Sequence, residues 1–171
     1  NEKLDKLKPV MADGTVTFGG QTHPADGHTA MVITTEARAR EMSTDPDIRI
    51  RFLGFGTARV EKAFMPAAPV PAAARALKQA GKTIDQIDAI KTHNPFAVND
   101  VVFAKETGAN LNQMNNYGCS LIWGHPNSPT GMRATIELIE ELVIRGGGIG
   151  LFAGCAAGDS AMALVVEVEQ R

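Results

Sequence analysis

Residues 130–168 read TGMRATIELIEELVIRGGGIGLFAGCAAGDSAMALVVEV, and this one run decides the fold class. The stretch 130–145 predicts a helix, with Thr135, Leu138, Glu141 and Leu142 spaced along its turns and Gly146, Gly147 and Gly148 ending it. The stretches 150–153 and 161–168 predict two strands, separated by a turn over 155–159. Strands this close in sequence should pair antiparallel.

Upstream the same alternation continues. The stretch 88–92 predicts a strand and 96–106 a helix, followed by an Asn- and Gly-rich loop over 108–118. Pro71 suits the first turn of a helix running to Ala80, with Gly81 as its cap. The stretch 48–60 predicts a long strand broken at Gly54 and Gly56, where a bulge is expected. The stretch 36–42 predicts a short helix, and TAMVIT at 29–34 a buried strand. Before Pro24 the chain reads as loop, with a turn at Asp13-Gly14 and an extended run at 15–17. Strands alternating with helices imply an α/β sandwich: a mixed sheet with helices on both faces, in a single domain over 1–171.

Composition narrows the function. A chain of 171 residues buries about two-thirds of its unfolded surface and can hold a full core. Hydrophobic residues at 44% and charged residues at 21% are an ordinary globular mixture. The net charge of −2, with no basic stripe, gives nucleic acid no electrostatic footprint. No apolar run is long enough for a membrane span, and the opening NEKLDKLKPV does not resemble a signal peptide. Two cysteines suit a reducing compartment, and the cytoplasm is the expectation.

Three segments carry candidate chemistry, each at a predicted strand end or in the loop after it. They are His93-Asn94-Pro95-Phe96, Gly124-His125-Pro126 with the turn to Gly131, and Gly154-Cys155-Ala156-Ala157-Gly158. Singly, each has a plain explanation: a capping histidine, a turn, a small core cysteine. Imidazole titrates near neutrality and can serve a nucleophile or donate to an oxyanion, and a thiol near pKa 8.5 can shuttle a proton. His23 and His28 have no metal-ligand pattern around them, so no metal is expected and they read as solvated loop residues. Cys119 should pack behind the Gly-His-Pro loop, and Trp123 reads as a buried anchor or part of an acyl pocket, with structure favoured.

In this order the segments resemble the C-terminal half of the thiolase family, with its Asn-Glu-Ala-Phe-type loop, its Gly-His-Pro loop and its Cys-x-Gly-type turn. Asp13-Gly14-Thr15-Val16-Thr17, Ala25-Asp26-Gly27 and Met65 with Pro69-Val70-Pro71-Ala72 extend the likeness over nearly the whole chain. The resemblance implies an acyltransferase that cleaves or forms a 3-ketoacyl-CoA, with coenzyme A as substrate and no further cofactor. It implies that His125 activates the nucleophile and lines an oxyanion hole, and that Cys155 is the general acid/base. His93 stands where many relatives have Asn, and a His occurs there in the sterol-carrier-type branch. Thr22, Met65, Phe96 and Ala157 fall at positions expected to contact substrate or CoA, Thr22 in place of a Ser and Ala157 in place of a Gly. Pro66 and Ala67 replace smaller residues near the pocket, which leaves the acyl-chain preference open.

Neither Cys119 nor Cys155 matches the context of the family's nucleophile, and position 1 is not Met. The expected partner is therefore an N-terminal half bearing that cysteine, in a complete enzyme that forms homo-oligomers. The 171-residue chain by itself should not turn over. Two other readings stay open: a condensing enzyme of the ketoacyl-synthase kind, which pairs two histidines with its cysteine, and a non-catalytic acyl-CoA binding or scaffold subunit.

Overall fold

The computed structural model describes residues 2–171. Four strands form one mixed sheet: β1 (Ile48–Arg59), β2 (Ala89–His93), β3 (Gly147–Ala156) and β4 (Ser160–Gln170), in the spatial order β1-β4-β3-β2. β3 and β4 make the predicted hairpin, antiparallel from Gly147 opposite Glu169 to Ala156 opposite Ser160. β1 joins β4 antiparallel, and β2 runs parallel to β3, with His93 opposite Gly154. The helices are α1 (Glu2–Asp5), α2 (Glu36–Met42), α3 (Pro69–Ala80), α4 (Ala97–Thr107), α5 (Ser120–Trp123) and α6 (Thr130–Ile144).

Side-chain size sets how each face of the sheet is covered. α3 turns Ala72, Ala73 and Ala76, all fully buried, onto the sheet and packs there with Leu151, Ala163 and Val165. So small a helix face brings backbone against backbone: a Cβ on Gly54 of β1 would sit 2.6 Å from the Ala76 carbonyl oxygen. α6 covers the opposite face with Ala134, Leu138 and Leu142 against Phe152, Val166 and Val168. Each fully buried leucine is worth about 1.5–3 kcal/mol of transfer free energy. β2 ends the sheet, yet all five of its residues are buried. A loop closes its outer edge: the Asn115 N–H donates to the Ile90 carbonyl at 2.9 Å, and the Thr92 N–H donates to Asn115 Oδ1 at 2.8 Å.

Five features differ from the sequence reading. The stretch 29–34 forms no strand, and Val32 and Ile33 are 71% and 72% exposed. An apolar run expresses a preference for burial, and here Val32 and Ile33 face β1 only across an open cleft and stay exposed. β1 runs unbroken through both glycines, with one register shift between Phe52 and Gly54. α3 starts at Pro69, because proline in a first turn gives up no helical hydrogen bond. Gly147 and Gly148 open β3 and do not belong to the helix stop, and α1 adds one turn within the segment read as loop.

Candidate active site

β2 and β3 run parallel and end together, and the sheet delivers two side chains there from opposite faces. Along β2, Ala89 packs under α6, so by alternation Lys91 and His93 face the same way. Along β3, Leu151 and Ala153 face α3, and Cys155 follows them in that alternation. Cys155 meets α4 instead of α6: Asn99 Nδ2 donates to its Sγ at 3.5 Å. His93 is thus directly opposite Gly154 while the thiol belongs to the next residue, and the two groups share only the end of the sheet.

The second histidine comes from the loop before α6. The His93 and His125 rings are in contact, with centroids 4.4 Å apart and planes inclined at 36°. His93 Nδ1 lies 2.6 Å from Ser120 Oγ, at the start of α5. His125 Nδ1 lies 2.7 Å from Thr130 Oγ1, and that hydroxyl donates to the Pro126 carbonyl at 2.9 Å. The arm over 21–25 laces these loops together. The Thr22 N–H donates to the Pro95 carbonyl and the His125 N–H to the His23 carbonyl, both at 2.8 Å, while the Thr22 hydroxyl donates to the Ser120 carbonyl. Gly124 makes this possible at φ 81°, since a Cβ there would lie 2.7 Å from the Ala25 side chain.

The electrostatics keep the site uncharged. Burial first, then His125 and Arg133, push His93 down to about 4. Burial and then Arg133 lower His125 as well. Burial raises Cys155, and the Asn99 hydrogen bond offsets part of that rise. At neutral pH the site therefore holds two neutral imidazoles and a protonated thiol, groups able to exchange protons without first losing a fixed charge.

The remaining expected positions differ in exposure. Thr22, Met65 and Phe96 are half-buried and Ala157 is exposed. The Phe96 N–H donates to Asn99 Oδ1 at 3.2 Å, and the Ala157 carbonyl accepts from the Ser160 hydroxyl at 3.1 Å. Cys119 is buried, its thiol on the Thr92 carbonyl, in the cluster that also holds Ala134, Leu138 and Phe152. His23 and His28 are exposed. Trp123 is no buried anchor: it is 56% exposed, with Nε1 donating to the Tyr117 carbonyl at 3.0 Å.

Sequence reasoning missed Ser120, Thr130 and Asn99. Asn99 had a readable signal, since a polar residue three positions into a helix can cap its start. Ser120 had none, because only the fold sets α5 against β2. A cleft of about 720 Å³ lies elsewhere, between the exposed arm at Val32 and Ile33 and the β1 face carrying Ile48, Ile50 and Phe52. Among the described residues no helix is long and apolar enough to cross a membrane.

The chain matches known proteins over almost its full length. The family "Thiolase, C-terminal domain" matches residues 47–168. An acetyl-CoA acetyltransferase of Allochromatium vinosum is 32% identical over 97% of this chain, and the mitochondrial 3-ketoacyl-CoA thiolase of Homo sapiens is 31% identical over the same share. The crystal structure of the human mitochondrial enzyme in complex with CoA superposes with a TM-score of 0.88 at 30% identity over 97% of this chain. That of the Bacillus anthracis acetyl-CoA acetyltransferase gives 0.90 at 32% over 98%. The chain spans 42% of the length of each of these relatives. With the family match covering most of the sheet and all three candidate loops, this chain belongs to the thiolase family and corresponds to its C-terminal domain.

Proposed function

We propose that this chain is the C-terminal half of a thiolase-type acyltransferase that cleaves or forms a 3-ketoacyl-CoA, with its nucleophilic cysteine supplied by an N-terminal half. The observation that carries this reading is the ring contact of His93 and His125 at the strand end where the Asn99-bound Cys155 also emerges. In the reaction, His125 takes the proton of the incoming nucleophilic thiol, which attacks the ketoacyl carbonyl and expels the α-carbon of acetyl-CoA. His93 donates to the thioester oxygen, and Cys155 gives the departing α-carbon its proton. CoA then gives its thiol proton to the Cys155 thiolate and takes the acyl group, and the released nucleophile recovers its proton from His125. Thr22, Met65, Phe96 and Ala157 border the substrate and CoA. A pocket closed by the second half would strengthen each of these hydrogen bonds by excluding water.

The exposed Val32–Ile33 arm and the apolar β1 face beside it support a large partner surface of this kind. Two free cysteines favour a reducing compartment such as the cytoplasm, and the complete enzyme would be a homo-oligomer. The paired histidines also favour a ketoacyl-synthase-type condensing enzyme, but a third thiol held by its own amide donor suits thiolysis better. The test is thiolysis of acetoacetyl-CoA by the 171-residue chain with and without a co-expressed, cysteine-bearing N-terminal half. Turnover is expected only from the pair. Robust turnover by the chain without a second polypeptide would overturn the division of labour.

A further inference from the structure

We propose that Ser120 is a positioning residue: by donating its single hydroxyl proton to Nδ1 of His93, it fixes that imidazole as an Nε2–H donor, opposite in tautomer to His125. The use made of the donor rests on the acyl-transfer reading above. The tautomer itself does not.

Ser120 is fully buried, so its hydroxyl proton must find an acceptor inside the protein. Two side-chain atoms are in reach: His93 Nδ1 at 2.6 Å and Cys119 Sγ at 3.9 Å. The sulfur is a weak acceptor at long range, and its own proton is directed at the Thr92 carbonyl. The proton of Ser120 therefore goes to the ring. A neutral imidazole that accepts at Nδ1 carries its hydrogen on Nε2. Burial and the neighbouring Arg133 and His125 keep His93 neutral at physiological pH.

His125 meets the opposite condition. The Thr130 hydroxyl has one proton and directs it to the Pro126 carbonyl, which can only accept. Toward His125 the hydroxyl oxygen is then the acceptor, so the ring donates from Nδ1 and holds a lone pair on Nε2. Two rings 4.4 Å apart thus offer one N–H and one lone pair, a donor for a carbonyl oxygen beside an acceptor for a thiol proton. The serine is held in place from two sides, since Thr22 bonds its carbonyl and Cys119 ties the preceding residue to β2.

Long-range ¹H–¹⁵N spectra of the ¹⁵N-histidine-labelled 171-residue chain at neutral pH decide the matter. His93 is expected to show an unprotonated Nδ1 and a protonated Nε2, and His125 the reverse. Ser120→Ala should move the His93 nitrogens toward a mixture or toward the Nδ1–H form while His125 keeps its pattern, and Ser120→Thr should restore the parent spectrum. A parent spectrum with His93 protonated on Nδ1 overturns the proposal without any variant. So does a Ser120→Ala chain whose His93 nitrogens do not move. Either result leaves the acyl-transfer reading standing, because that reading is judged by thiolysis in the paired enzyme.

Discussion

Lys91 Nζ stands 3.3 Å from Glu137 Oε2 with the lysine side chain wholly buried, so a cation of β2 is enclosed against α6 two residues before His93. The same carboxylate holds Arg133 through its other oxygen at 3.0 Å. One anion therefore holds two cations behind the histidine pair. The cost of breaking such a cluster is asymmetric, because it depends on which charge is left alone. Glu137→Ala strands Lys91 and should destabilise the chain by about 3–5 kcal/mol. Lys91→Met leaves Glu137 with Arg133 and should cost far less. Urea denaturation of the two variants checks the order, and equal losses would mean that the lysine is not held by the carboxylate.

The histidine pair makes stability depend on pH with a definite sign. His93 is held at about 4 in the fold against an ordinary value near 6.5, so between those values the unfolded chain binds the proton more readily. Its contribution is complete above about pH 6.5 and is lost as pH falls through about 4, on the order of 3 kcal/mol in all. His125 is shifted in the same direction and adds to the slope. Urea midpoints should fall across this window, and His93→Asn should flatten the fall. A parent midpoint that stays level from pH 6.5 to 4 contradicts the buried neutral imidazole.

The glycines of β1 show what the sequence could and could not say. Gly54 and Gly56 signalled an irregular strand, and a register shift does occur beside Gly54. Their main cause is that α3 lies on them, a contact between elements that no local pattern encodes. Gly54→Ala would set a methyl against the Ala76 carbonyl and the Ala80 nitrogen, both backbone atoms that cannot turn aside. A loss of about 1–3 kcal/mol or more is expected, with a lower thermal midpoint. An alanine variant as stable as the parent would show that α3 can move away at little cost.

Helix and strand positions were legible where apolar spacing and end signals agreed, as in α6 and the β3–β4 hairpin, while the exposed α2 was legible from the turn-rich stretch that follows it. The arm at 29–34 was misread because its pattern records what the residues favour and not whether a surface is present. At the candidate site the three loops could be named from their residue types, since histidine and cysteine stand out against a Gly- and Pro-rich background. Ser120 and Thr130, which hold the imidazoles, and the arm that ties the loops, could not. Hydroxyls in a chain are common: only the packing of α5 on β2 selects Ser120, and only the turn into α6 brings Thr130 back to His125.

Cys155 offers a test that needs neither a partner nor turnover. Its thiol is buried, and desolvation raises its pKa, so at neutral pH the reactive thiolate is scarce. The Asn99 amide works the other way: a donor 3.5 Å from Sγ favours the thiolate and offsets part of the burial. Asn99→Leu removes that donor and should move the pH profile of Cys155 alkylation upward while slowing the reaction at pH 8. Cys119→Ala removes the other thiol, so that a single modification can be followed by intact mass. The asparagine also accepts from the Phe96 N–H at the start of α4, so a lower thermal midpoint alone would show only lost capping. The profile separates the two roles, because a lost cap weakens the helix without changing which proton the thiol releases. If Asn99→Leu leaves the pH midpoint of alkylation where the parent has it, the amide does not tune this thiol, and Asn99 serves the fold alone.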